Sequence, residues 1–250
     1  MAGSAVPEGS LTQPADAVWH VHDAMALPRG RIKLAAMEER ARDAGFEHLW
    51  LDCAVHETML VRWYEREGYY PADVKAASGS EVLRLEKNLV AARELELMFE
   101  DWEPELTGTL LFVIDADRVL LIDKKTGHGA GKINAPGGKL EEGETPAACA
   151  VRETLEEVGI RVARPRLMAR LKFADTLASQ WYGYVFVVHE HGGMAIETAE
   201  ADPHWYALDA IPYDRMWQDD RIWLPRVLSG HPVEGEFLFD DGRLRAHRIA

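Results

Sequence analysis

Three carboxylates, Glu153, Glu156 and Glu157, are the residues whose spacing most demands a chemical reason. On any helix running through them they are related by i, i+3 and i, i+4, so they share one face. Like charges at that spacing oppose a bare helix by a few tenths of a kcal/mol per pair. A solvated acidic face is the ordinary explanation. A site for a hard divalent cation is the other: Mg²⁺ takes carboxylate oxygens and keeps positions for phosphate oxygens, and it turns the repulsion into attraction. The flanks favour the cation. Gly138, Glu144, Arg152, Glu153, Glu156, Glu157, Gly159 and Ile160 fall in the pattern G-x5-E-x7-R-E-x-x-E-E-x-G-I. Seven Gly or charged anchors at ordinary frequencies meet by chance on the order of 10⁻⁸ per start site, which is too rare for coincidence.

Such a face needs a helix and a scaffold. Thr145 and Pro146 are a good N-cap and first residue, and Gly159 is a natural stop, so the spacing predicts a helix over 146–158. Upstream, "TGTLLFVIDADRVLLIDKK" reads as a hairpin around Asp115-Ala116-Asp117, followed by the glycine-rich loop "GHGAGKINAPGG". Downstream come strands at "RLMARLKFAD" and "WYGYVFVVHEH" and a loop leading into a helix at "AIPYDRMWQDDRIWLPRVLSG". A last hairpin turns at Asp241-Gly242. The N-terminal part reads strand, helix, strand, helix, strand, from the apolar run "AVWHVHDAMAL" to the period-two "SEVLRLEKNL", with helices stopping near Gly45 and Gly68. The domain organisation expected is a flexible leader at 1–15, a small α/β segment at 16–90, a helical connector at 91–105 broken by Pro104, and a larger α/β domain at 106–250.

Composition narrows the class. The 250 residues are 47% hydrophobic and carry a net charge of −14. That charge argues against binding nucleic-acid polymers, whose phosphates need a basic surface. An anionic ligand must then be met by local lysines or by a metal ion. Cys53 and Cys149 lie far apart in apolar segments and read as reduced core residues of a cytoplasmic protein. No apolar run is long enough for a membrane helix, and the first 15 residues lack the basic and apolar parts of a signal peptide.

The pattern from Gly138 to Ile160 resembles the Nudix box, the signature of the Nudix hydrolases. That resemblance implies an α/β/α sandwich with a mixed sheet and hydrolysis of a nucleoside diphosphate linked to another group. It implies Glu153, Glu156 and Glu157 as ligands of Mg²⁺, or of Mn²⁺ in its place. Gly138 would approach the metal closely, and Glu144 and Arg152 would form a supporting pair. Thr154 stands where the family usually has a larger aliphatic residue.

The stretches on either side resemble the mammalian-type Nudix enzymes that clear oxidised purine nucleoside triphosphates. By that likeness Asn134, Trp217, Asp219 and Asp220 would form a base pocket, with Phe173 on its wall. Glu200 would stand near the metal, and Lys124 and Lys139 would neutralise phosphate. Two adjacent aspartates in a dry pocket resist both ionising, which gives a donor beside an acceptor; they also suit a helix start. His128 replaces an aromatic and "NAP" the usual "NGF", so dinucleotide polyphosphates and ordinary nucleoside triphosphates stay open as substrates.

The segment at 16–90 resembles the second half of GNAT acetyltransferases, through its helix, strand and Tyr64-to-Tyr69 pattern. Its "PRGRIK" keeps only Gly30 of the expected pyrophosphate loop, and the first half of that fold is missing. A scaffolding or homodimerising role is expected ahead of acetyl-CoA binding, with Tyr64 packed.

Overall fold

The computed structural model describes residues 27–77 and 80–250. The leader and the run "AVWHVHDAMAL" up to residue 26 lie outside the described residues. The chain divides into two compact units, Met1–Leu97 and Met98–Ala250.

In the first unit, α1 (Leu27–Asp43), β1 (His48–Ala54), α2 (Thr58–Arg66), β2 (Tyr70–Ala77) and β3 (Ser80–Asn88) follow in order. The antiparallel sheet runs β1-β3-β2. Alternate residues of β1, Leu49, Leu51 and Cys53, are buried with Leu34, Trp63, Tyr69 and Leu85. Gly45 and Gly68 follow α1 and α2 in left-handed backbone, as a helix stop requires. β2 was not expected: Pro71 and Asp73 hide it, and a register shift between them lets the strand pair regardless. Tyr64 is packed, with its ring against Trp63 and Tyr69. The "PRGRIK" stretch is helical, within the first turns of α1, rather than an extended pyrophosphate loop. Buried Glu38 is matched by the Tyr69 hydroxyl at 2.9 Å and by Lys87 Nζ at 2.9 Å. Helix α3 (Leu89–Glu100) runs across the division between the units.

The second unit is a mixed α/β sandwich. Its strands are β4 (Leu106–Asp115), β5 (Arg118–Lys124), the short β6 (Ile133–Asn134), β7 (Arg161–Val162), β8 (Arg166–Asp175), β9 (Trp181–Val188), β10 (His191–Gly192), β11 (Ala201–Ala207), β12 (Val233–Asp240) and β13 (Arg243–Ile249). The main sheet runs β11-β5-β4-β9-β8-β12-β13, with β6 on β5; β4/β9 and β8/β12 are parallel and the other neighbours antiparallel. Two helices, α4 (Pro146–Val158) and α5 (Asp220–Leu228), contribute to two separate cores. Consecutive residues Leu111 to Ile114 are all buried, alternating between those cores, because both faces of the sheet are covered. Each such side chain contributes about 2 kcal/mol by leaving water. The turns stand where the sequence places them: Ala116 and the Asp241-Gly242 pair have positive φ.

The loop after β6 lies hard against β4. The Leu111 N–H donates to Pro136 O at 2.9 Å, and the Thr109 N–H donates to Gly138 O at 2.8 Å. A Cβ on Gly137 would stand 1.9 Å from the Thr109 carbonyl oxygen, which is backbone and cannot yield. Gly137→Ala is expected to cost about 3 kcal/mol or more. Chemical denaturation measures it; a loss below about 1 kcal/mol would mean the loop is not held as described.

Candidate active site

Helix α4 forms where the sequence placed it. The Thr145 hydroxyl accepts from the Ala148 N–H at 3.3 Å, Pro146 opens the helix, and Gly159 closes it at φ 72°. Thr154 is fully buried, and its hydroxyl donates to Ala150 O at 2.7 Å, so the unusual residue is satisfied within its own helix.

Arg152 organises this face. Its Nε and Nη2 donate to the two oxygens of Glu144 at 3.0 and 2.9 Å, a two-pronged bond that ties the preceding loop to the helix. Its Nη1 donates to Glu153 at 2.8 Å and Glu156 at 3.1 Å, and Nη2 reaches Lys139 O at 3.3 Å. The Arg152 hydrogen bond, first among the causes, holds the Glu144 carboxyl at about 2. Burial raises the pKa of Glu153, with Arg152 opposing the shift. Gly138 is bare because the Glu153 carboxyl occupies the place of its side chain: a Cβ there would lie 2.2 Å from it.

Glu157 faces elsewhere. It is buried, accepting from Lys124 Nζ at 2.8 Å and from the Gly137 N–H at 2.9 Å. Its backbone carbonyl accepts from the Thr198 hydroxyl at 2.9 Å, and that same hydroxyl accepts from the Glu200 N–H at 3.2 Å. Thr198 thereby fastens the Glu200 loop to the end of α4. Among the described residues no three acidic, His or Cys side chains converge as a finished metal cage. Glu153 and Glu156 share Arg152, while Glu157 is paired with Lys124. The donor chemistry still suits a hard dication. Four carboxylates, Glu144, Glu153, Glu156 and Glu157, set against the two cations Arg152 and Lys124 leave two negative charges, and all four are oxygen donors.

Beside this face opens a cavity of about 340 Å³. It gathers Asn134, Trp217, Asp219, Asp220, Phe173, Lys124, Lys139, Glu200 and Gly138 of the residues singled out in the sequence. Glu144, Arg152, Glu153, Glu156 and Glu157 do not line it; Glu153 stands behind Gly138, and Glu157 behind Gly137 and Lys124. Asn134 Oδ1 accepts from the Ala135 N–H at 2.8 Å, so its amide donor is the end it can offer a ligand.

Asp219 and Asp220 are 3% and 2% exposed. The Asp219 carboxylate accepts from Trp223 Nε1 at 2.8 Å, and Asp220 accepts from the Trp217 N–H at 3.0 Å. Burial pushes Asp219 up to about 6, and burial together with the Asp219 charge pushes Asp220 well above the usual carboxylate range. Both carboxyls therefore hold their protons to higher pH than free aspartates do.

Sequence reading missed Trp223 and Trp181. Trp223 stands four residues after Asp219, a helical spacing that could have signalled the bond. Trp181 pairs with Phe173 across β9 and β8, which no local pattern reveals. His128 also lines the cavity, with its pKa lowered by burial and then by Lys124 and Lys139.

A model of the NUDIX domain matches residues 104–227. The oxidized purine nucleoside triphosphate hydrolase of Danio rerio is 38% identical over 132 residues, 52% of this chain and 85% of that protein. The chain belongs to the Nudix hydrolase family. The mouse protein of the same name is a similar Nudix relative, 37% identical over 53% of this chain and 86% of its own length. A solved structure of a mutator MutT protein from Bacillus halodurans covers 58% of this chain and 97% of that one, at 29% identity and a TM-score of 0.52. Nudix hydrolases generally use divalent metal ions. Among the described residues no helix is long and apolar enough to cross a membrane.

The aspartate pair sets a pH dependence of stability for this Nudix domain. Unfolded, each aspartate releases its proton near pH 4. Folded, Asp219 holds it to about 6, and Asp220 also holds it well above the usual carboxylate range. The folded state thus binds more protons than the unfolded one above pH 4, and the pair's contribution falls as pH rises through 6 and beyond. Asp220→Asn, which mimics the neutral acid, is expected to lose less Tm between pH 5 and pH 8 than the natural protein. Equal losses would contradict the raised pair.

Proposed function

We propose that this chain is a divalent-cation-dependent pyrophosphohydrolase that converts oxidised purine nucleoside triphosphates, such as 8-oxo-dGTP, to the monophosphate and pyrophosphate. The observation that carries the reading is the buried Asp219/Asp220 pair lining one cavity with Asn134 and Trp217. A purine edge with a carbonyl beside an N–H finds a protonated and an ionised carboxyl side by side. Trp217 offers a face for stacking. The names of the two vertebrate relatives support the same substrate class.

The polar end of the cavity supplies the rest. Lys124 and Lys139 meet phosphate charge, and the bare backbone at Gly137 and Gly138 lets phosphate come close. Glu153, Glu156, Glu157, Glu200 and the Gly138 carbonyl are the groups that would hold Mg²⁺ or Mn²⁺. The ion's chemistry there is neutralisation of phosphate charge and polarisation of the attacking water. Arg152 keeps Glu153 and Glu156 in place, and Glu144 keeps Arg152 in place. Asp220 retains its proton as the donor to the base while Asp219 accepts. Water adds to phosphorus, the α–β anhydride opens, and pyrophosphate leaves.

We assign the N-terminal unit a packing or homodimerising role rather than acetyl transfer, supported by the helical "PRGRIK" and the packed Tyr64.

With Mg²⁺ and a nucleotide panel, 8-oxo-dGTP is expected to yield pyrophosphate and monophosphate fastest. Glu156→Gln and Glu157→Gln are each expected to lower kcat roughly 100-fold, about 3 kcal/mol of lost transition-state stabilisation, with Tm little changed for exposed Glu156 and lowered for Glu157, whose buried pairing with Lys124 is broken. Release of pyrophosphate from no nucleotide sinks the reading; full turnover by either variant removes that carboxylate from the metal set. Asp219→Asn should lower kcat/KM for the oxidised purine more than for other bases, and equal losses across the panel would take it out of the base pocket.

A further inference from the structure

Three rings far apart in the sequence meet in the cavity. The His128 imidazole stacks on two indoles, 5.1 Å from the Trp181 centroid at 27° and 5.3 Å from the Trp217 centroid at 14°. Both angles are stacking angles, so one imidazole covers a face of each indole. No hydrogen bond holds the imidazole to the described residues; only its ring contacts do. Its loop is fixed at the stem, where Gly131 N–H donates to Lys124 O at 2.8 Å and Lys124 N–H donates to Lys132 O at 3.0 Å. The tip is a tight turn held by the Ala130 N–H on Gly127 O at 3.2 Å and the Lys132 N–H on Gly129 O at 3.0 Å, so the His128 side chain is the part free to swing. Gly127 and Gly129 flank His128 with φ of 71° and 82°, and a Cβ on Gly127 would meet nothing within 4 Å.

We propose that His128 is a self-occupying gate: it fills the base-stacking slot at Trp181 and Trp217 and must swing out before a nucleobase can enter. The proposal rests on the reading that this cavity takes the base. Nothing chemical is exchanged; one stacked ring replaces another. A protein whose slot is free only a fraction f of the time binds every base with its affinity lowered by that same fraction. The gate therefore weakens all bases equally and leaves their ranking to Asn134, Asp219 and Asp220. It leaves untouched any ligand that uses only the phosphate end.

The test separates gating from turnover. Binding of 8-oxo-dGMP, dGMP and dCMP is measured by calorimetry without metal, with tripolyphosphate as the baseless control. His128→Ala is expected to tighten every nucleoside monophosphate that binds by a common factor of about tenfold, the scale of one base–aromatic stack, and to leave tripolyphosphate unchanged. No tightening, weaker binding, or tightening of tripolyphosphate by the same factor overturns the gate. A second readout needs no variant: the His128 ring protons, shifted upfield by two indoles in the free protein, move downfield on saturation with 8-oxo-dGMP. An unchanged upfield shift in the saturated complex also overturns it. Failure to hydrolyse 8-oxo-dGTP would strike the proposed activity alone, because neither measurement involves hydrolysis.

Discussion

The guanidinium of Arg152 is the constraint on which the site depends. It grips Glu144 with two parallel hydrogen bonds and Glu153 and Glu156 with a third nitrogen. A lysine could not do this, because only a planar fork binds several carboxylates in fixed directions. The bond to Glu144 joins the loop to α4, and the bonds to Glu153 and Glu156 hold carboxylates that would otherwise repel. The Glu153 carboxyl in turn fills the space that Gly138 leaves, and Gly138 and Gly137 press the loop against β4. One side chain thus links the helix, the loop and the edge of the cavity.

The cavity separates two kinds of chemistry along its length. Behind one end, carboxylates are paired with cations, with Lys124 on Glu157 and Arg152 on its three partners. At the other, Asp219 and Asp220 are cut off from water, Lys132 offsets that burial only in part, and their pKa values rise. Equal side chains take opposite roles because their surroundings differ in solvent and charge. The same sheet supplies both ends. Lys124 closes β5, Asn134 ends β6, and the helix carrying Asp220 packs under the sheet through Trp223 and Leu224.

Much of this was legible in the sequence because local rules agreed. Thr145, Pro146 and Gly159 announce α4 unaided, whereas the spacing of Glu153, Glu156 and Glu157 does not reveal that Glu157 turns away to Lys124 while Glu153 and Glu156 share Arg152. The Asp241-Gly242 turn follows from the ease with which Asp and Gly take left-handed backbone, whereas Ala116 takes it without any such preference. Other elements were hidden. β11 contains Pro203, which a central strand excludes; it is tolerated because β11 lies at the edge of the sheet. β2 carries Pro71 and Asp73 and pairs only through an irregular register. The stack of Trp181, His128 and Trp217 could not be read at all, since it joins a loop, a strand and a helix entrance. The pairing of Glu157 with Lys124, 33 residues apart, is likewise a product of tertiary packing.

We propose that Arg152 is the residue that readies the acidic face for a dication. Titration of Mn²⁺ followed by electron paramagnetic resonance of the free ion, in the natural protein and in folded Arg152→Gln, tests it most directly. The account predicts that the variant binds Mn²⁺ about 10- to 100-fold more weakly, because Glu153 and Glu156 lose the group that orients them. Equal or tighter binding by the variant would contradict it, showing that the guanidinium merely screens the carboxylates.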